Sequence, residues 1–181
     1  MSKWKQRSGE VLSVLAFVLS PLGISFLSTA PAQARGEEVR FASGYPAGVI
    51  IINQHQRKLY LTEGDGRAIR YPVAVGKPGK AWLGETYVEG KFLHPAWSPP
   101  AVVLHDHPRL PELIPGGSPH NPMGVAAITL KRDEVAIHGT NAHMRRSVGT
   151  AASYGCIRMY NEDVLDLYNR VEVGTPVISV P

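Results

Sequence analysis

Apolar and polar residues alternate or cluster over short stretches along most of this chain, and turn residues separate the stretches. Val49-Ile50-Ile51-Ile52-Asn53 is a β-branched run that follows Pro46 and Gly48. Lys58-Leu59-Tyr60-Leu61-Thr62 alternates, Gly64-Asp65-Gly66 turns the chain, and Ala68 to Val75 alternates again, so the three runs predict a β-meander. Pro72 should bend the third strand or confine it to an edge, because proline cannot donate to a ladder. Gly124 to Leu130 and Glu134 to Ile137 predict a second pair, joined by the charged Lys131-Arg132-Asp133, and Thr175 to Val180 predicts a closing strand. One helical period stands out. Asn161 reads as its N-cap, Glu162 and Asp163 suit the first turn, and Val164, Leu165, Tyr168 and Val171 recur at helical spacing. The expected fold class is therefore mainly β, with one or two helices.

The middle, Lys77 to Met123, carries most of the chain's prolines together with Gly79, Gly84, Gly90, Gly116 and Gly117. Such a length is too great for a passive connection and predicts ordered excursions around a site. Trp82, Trp97, Pro99 and Pro100 are candidates to line it.

The first 34 residues read as an address. Lys3, Lys5 and Arg7 precede an apolar stretch from Val11 to Leu27, which Pro21 interrupts, and Ala32-Gln33-Ala34 is a small-x-small cleavage signal. The expected organisation is a signal peptide over 1–34, a short lead-in over 35–46 and one domain over 47–181. The alternative reading is an uncleaved membrane anchor, although Pro21 leaves the stretch marginal for a bilayer span; with cleavage before Arg35 no stable membrane span would remain. The leader would take Lys3, Lys5, Arg7 and Glu10 with it, which halves the formal charge of +4. The pI near 9.3 therefore overstates how basic the working protein is. Lys131-Arg132 and Arg145-Arg146 are only pairs, so nothing points to nucleic acid.

Export changes the meaning of the single cysteine, Cys156. An exported thiol without a disulfide partner reads as a nucleophile, and a histidine is the usual group to activate one. His138 ends the apolar Val135-Ala136-Ile137, and Cys156 opens Cys156-Ile157-Arg158-Met159 after Gly155. Two neighbouring strand ends would bring imidazole and thiol within reach. The amides of Gly155 and Cys156 could converge on an oxyanion. In an extended segment Arg158 would share a face with Cys156 and could hold a carboxylate, or it could simply pair with Glu162 or Asp163. Each residue alone has a plain structural explanation; together with export they favour cysteine acyl transfer.

His138-Gly139-Thr140 followed by Ser153-x-Gly155-Cys156-Ile157-Arg158-Met159 resembles the active-site signature of the L,D-transpeptidase catalytic domain (YkuD-like) of bacterial cell-wall enzymes. The likeness extends from the Gly48–Asn53 strand through Tyr71-Pro72-Val73-Ala74-Val75-Gly76 and Pro119-His120-Asn121-Pro122-Met123-Gly124 to the last strand. It implies a β-sandwich-like fold with a deep cleft. Cys156 would be the nucleophile, His138 the base, and Gly139 the carbonyl that orients the imidazole. Amides at Tyr154, Gly155 and Cys156 would form the oxyanion hole, and Arg158 would place the donor peptide. One position departs from the family pattern: Tyr154 stands where the family usually has His. It keeps an aromatic body and a hydroxyl but carries no positive charge at neutral pH.

The reaction implied by the resemblance is transfer from a peptidoglycan tetrapeptide stem, releasing D-alanine, through a thioester to an acceptor amine. The product would be a 3→3 cross-link, or a wall-linked outer-membrane protein. No metal or cofactor is implied, and carbapenems would be expected to acylate Cys156. With water as acceptor the site would be an L,D-carboxypeptidase, and with the chemistry lost it would be a wall-binding domain. A metallopeptidase reading of His105-Asp106-His107 fails on spacing. The Asp wanted seven positions after an upstream histidine is Ala101 after His94 and Thr62 after His55.

Overall fold

The computed structural model describes residues 36–42 and 44–181, so the expected leader lies outside the described residues. The predicted meander is present as β2 (Ile50–Asn53), β3 (Lys58–Gly64) and β4 (Arg67–Pro72), all antiparallel. The lead-in contributes more than expected, because β1 (Glu37–Arg40) pairs with β4 and covers that edge. The third run is shorter than its alternation predicts. It stops at Pro72, and Val75–Gly76 form a separate β5.

The proline-rich middle contains the longest strand, β6 (Gly84–Leu93), and a short helix, α1 (Ala101–Asp106). The closing strand β11 (Pro176–Val180) lies parallel to β2 and antiparallel to the first half of β6. The second half of β6 pairs instead with β7 (Ala126–Leu130), after a register shift between Val88 and Gly90. A strand that changes partners at such an irregularity makes a sandwich corner. β7 then pairs with β8 (Ala136–His138), and β8 lies parallel to β10 (Ile157–Arg158). The sheet order is β1-β4-β3-β2-β11-β6-β7-β8-β10, and β9 (Ala151–Ser153) forms a small parallel pair with β5.

The β-branched run in β2 is buried on both faces. Ile50 and Ile52 join the main core with Leu59, Tyr71, Ile128, Ile137 and Met159, while Val49 and Ile51 pack with Tyr60 and Ala68 on the other side. The helix α2 (Asn161–Arg170) closes the main core through Val164 and Leu167. Its start differs from expectation. Tyr160 occupies the cap position without a side-chain bond, and the Asn161 carboxamide is used elsewhere, as described below. No helix among the described residues is long and apolar enough to cross a membrane.

Leu59 is fully buried in the main core. Leu59→Ala should lower unfolding free energy by about 2–5 kcal/mol, read from urea denaturation. A loss of a few tenths would mean that the core does not pass through β3.

Candidate active site

The parallel pairing of β8 with β10 sets Arg158 opposite His138 and puts both strand ends at the rim of one cleft of about 570 Å³. Cys156, Arg158, His138 and Tyr154 all line it. Register partners on adjacent strands present their side chains to the same face, and so does the residue two positions before. His138, Arg158 and Cys156 therefore share a wall.

The loop after β8 is fastened at several points. Met159 N donates to the His138 carbonyl at 2.8 Å, and Thr140 Oγ1 donates to the Met159 carbonyl at 3.2 Å. Asn161 Oδ1 accepts the Thr140 amide at 2.9 Å, so the residue expected to cap α2 instead holds the Gly139–Thr140 turn. A Cβ at Gly139 or at Gly124 would lie 2.3 Å from that same oxygen, so the close approach needs glycine at both positions.

His138 is 4% exposed, and its Nδ1 lies 2.7 Å from the Gly139 carbonyl. A carbonyl only accepts, so Nδ1 carries the proton and Nε2 keeps its lone pair. Burial, followed by the Arg158 guanidinium, pulls the imidazole down to about 4, against smaller opposing effects of the Gly139 and Pro122 carbonyls. It is a neutral base at physiological pH.

Burial also pushes the Cys156 thiol above its ordinary value, while the backbone at Ala136 and Arg158 pull the other way. Its Sγ donates to the Glu134 carbonyl at 3.4 Å. Both shifts favour a neutral resting pair over a preformed thiolate–imidazolium pair. The turn before the thiol is held by Ser153, whose Oγ donates to the Cys156 carbonyl at 2.6 Å and accepts the Gly155 amide at 3.1 Å. The Gly155 amide expected in the oxyanion hole is therefore already engaged. The Gly155 carbonyl accepts Trp82 Nε1 at 3.0 Å, with Gly155 at φ +129°.

Arg158 does not pair with Glu162 or Asp163. Glu162 is held by Arg145, and both Asp163 oxygens are buried without a partner. The nearest polar contact of Arg158 is Nη1 to Ser147 Oγ at 3.4 Å, and its Nε is buried and unpartnered. A second cation went unassigned in the sequence. The 3-10 turn Met144–Ser147 points Arg145 to Glu162 and Arg146 into the cleft beside His143. Glu134 is the sole acidic residue among those lining the cleft. Two arginines against one carboxylate suit a substrate that carries carboxylates.

The Tyr154 hydroxyl is donated to Asp106 at the end of α1. Of the candidate lining residues, Trp97 and Pro100 reach the cleft, whereas Trp82 supports it from behind and Pro99 does not line it. His107 lines the wall, and His105 is exposed and contacts Asp106. Among the described residues no three His, Cys, Asp or Glu side chains converge as metal ligands. Ser153, Arg146 and the Asn161 carboxamide contact to Thr140 are the contributions that sequence reasoning missed. Only Ser153 carried a usable signal, its place in the Ser-x-Gly-Cys run.

With this geometry in view, comparison with known proteins is decisive about family. Residues 47–178 match the model of the L,D-transpeptidase catalytic domain, YkuD, and the chain belongs to that family. It is 37% identical to the Probable L,D-transpeptidase YbiS of Escherichia coli over 72% of this chain and 43% of that protein. The chain thus spans under half the length of the curated relatives it first matches. Among solved structures, L,D-transpeptidase 3 from Mycobacterium tuberculosis superposes with a TM-score of 0.58 at 18% identity, covering 75% of this chain and 61–62% of that one. That likeness speaks for the fold alone. A Brucella melitensis protein described as a probable carnitine operon oxidoreductase is 39% identical, with a TM-score of 0.54 over 82% of this chain and 94% of that one.

Two buried ionisable groups near the site act in opposite directions on stability. Asp163, in the first turn of α2, is raised to about 7 by burial, with Glu162 and Asp166 adding repulsion. Between pH 3.8 and 7 the folded chain therefore keeps a proton that the unfolded chain releases, and stability falls as pH rises. His138 does the reverse between about 4 and 6.5, where only the unfolded chain takes up a proton. Each proton is worth about 1.4 kcal/mol per pH unit, so the two slopes nearly cancel. Asp163→Asn should uncover the histidine, with urea unfolding gaining about 3 kcal/mol from pH 4 to 6.5. A flat profile in that variant would show that His138 is not held neutral. Independently, iodoacetamide alkylation of Cys156 should keep accelerating beyond pH 9; a plateau below pH 7 would reveal a preformed thiolate.

Proposed function

We propose that this domain is a cysteine-dependent L,D-transpeptidase of peptidoglycan, acting outside the cytoplasm after the 1–34 leader has directed export. The observation that carries the reading is that the chain's single thiol, just ahead of β10, and a buried, Nδ1-protonated imidazole at the end of the adjacent parallel β8 line one cleft. Neutral His138 takes the thiol proton through Nε2 as Sγ bonds to the carbonyl carbon of the donor stem's third residue. The carbonyl oxygen becomes an oxyanion, received by the Tyr154 and Cys156 amides because the Gly155 amide is engaged with Ser153. Collapse breaks the C–N bond, His138 returns its proton to the departing D-alanine amine, and a thioester remains.

An acceptor amine then attacks the thioester, gives up a proton through His138, and restores the thiol as the new amide forms. The partners are peptidoglycan stem peptides as donor and acceptor. The Arg158 guanidinium, which has no acidic partner among the described residues, would hold a donor carboxylate, and the Gly139 carbonyl would keep the imidazole oriented. The side-chain amine of a second stem gives a 3→3 cross-link, a lysine of an outer-membrane protein gives protein attachment, and water gives a tripeptide. The oxidoreductase description belongs to the Brucella protein and is not carried over to this chain.

Incubation with a carbapenem should add one acyl group to the wild type by intact mass and none to Cys156→Ala. His138→Ala should lower turnover at least about a hundredfold. Muropeptides from cells with and without the protein should differ in 3→3 dimers, tripeptides or wall-linked protein fragments. Absence of any acyl adduct on the wild type would leave a wall-binding domain as the better reading.

A further inference from the structure

Tyr154 is the position at which this chain departs from the family signature, and its side chain has definite work in the fold. The hydroxyl donates to Asp106 Oδ2 at 2.5 Å. The Lys77 ammonium sits 3.8 Å from the centre of the Tyr154 ring and 3.4 Å from the same Asp106 oxygen. Three segments distant in sequence therefore meet in one clasp: the end of β5, the end of α1 and the turn that carries the thiol. Lys77 is itself fixed to that turn, its amide donating to the Ser153 carbonyl at 2.9 Å.

The helix held by this clasp has little else to hold it. No residue of α1 is buried, and its N-terminus has no side-chain cap. The excursion that carries it is closed at its base by paired Trp97–Ile114 amides at 2.8 and 2.9 Å. An acidic residue at a helix C-terminus is unfavourable for the helix itself, so local propensity does not account for Asp106. Contact with Tyr154, then with His105 and Lys77, holds its carboxyl well below the usual carboxylate range. Val102 and Val103 of α1 line the cleft together with Cys156.

We propose that Tyr154 is a positioning residue that clasps α1 across the mouth of the cleft through Asp106 and Lys77, and so limits the size of the electrophile that reaches Cys156. The helix is hinged at Trp97 and Ile114 and fastened at its far end by polar, partly exposed contacts, which are weak enough to open. A bulky acyl donor reaches the thiol when the clasp is open, and closure afterwards shelters the acyl group. The role in acyl transfer rests on the function proposed above, whereas the clasp itself can be read without it.

Cys156 is the only cysteine, so alkylation reports it alone. The test compares a small reagent, iodoacetamide, with a large one, pyrene maleimide, on the full chain. Tyr154→Phe and Asp106→Ala should each speed the large reagent about tenfold, the scale of one hydrogen bond to a charged group. Both should leave iodoacetamide within about twofold, and the double variant should be no faster than either single, because the two side chains share one contact. Asp106→Asn, which keeps an acceptor for the hydroxyl, should fall between wild type and Asp106→Ala. Equal acceleration of both reagents, a silent Asp106→Ala, or additive effects would overturn the proposal. A wild type that takes no carbapenem yet shows the size dependence would lose the acyl-transfer reading and keep the clasp.

Discussion

The attachment of the His138 loop to the strand that follows Cys156 is the constraint on which the rest of the site depends. Parallel strands need a crossover, and here the eighteen residues between β8 and β10 include the Met144–Ser147 turn and β9. Backbone pairing alone would leave the imidazole free to turn. The bond from Met159 to the His138 carbonyl, the Thr140 hydroxyl and the Asn161 carboxamide remove that freedom. With the turn fixed, the Gly139 carbonyl becomes a reliable acceptor and the ring can hold one tautomer. In the proposed acyl transfer the third member would then be a backbone oxygen.

Burial is the second determinant, and it acts on both reacting groups together. Removing water disfavours charge, lowering the histidine's proton affinity and raising the thiol's. A neutral pair keeps the sulfur in its protonated form at rest, which protects the thiol from adventitious oxidation, since thiolates are the reactive form. Arg158 sits opposite His138 in register, two positions after Cys156, and lacks an acidic partner among the described residues. It therefore contributes a standing positive field within the cleft as well as a hydrogen-bonding fork.

Stability and function meet in the first turn of α2. Asn161 holds the Gly139–Thr140 turn, Asp163 is buried without partners, and one turn further on Asp166 accepts the Tyr71 hydroxyl at 2.6 Å. An unpartnered carboxyl there lowers stability as pH rises toward 7, a feature that local sequence preferences do not explain. In the sequence Glu162 and Asp163 looked like ordinary dipole-compensating choices for a helix start. The helix periodicity was legible because Val164 and Val171 face an apolar sheet. The role of Asn161 was not, because its partner Thr140 lies twenty-one residues away.

What the amino-acid order by itself determined was everything carried by short-range period and by rare residue types. The meander, the β7–β8 pair, α2, the lone thiol and the His138 signature are all of this kind, since alternation and motif spacing are local properties. Tertiary structure alone decided the rest. β6 was hidden in a proline-rich stretch because its partners, β11 and β7, come later in the chain and supply the pairing that propensity does not. The Gly155 amide, expected in the oxyanion hole from the glycine turn and from the family resemblance alike, is engaged by Ser153, a matter of turn geometry. Tyr154 read as a lost charge, yet its partners Asp106 and Lys77 lie 48 and 77 positions away, so no local pattern could have joined them; hydrogen-bond geometry is set by where the folded chain brings its segments together.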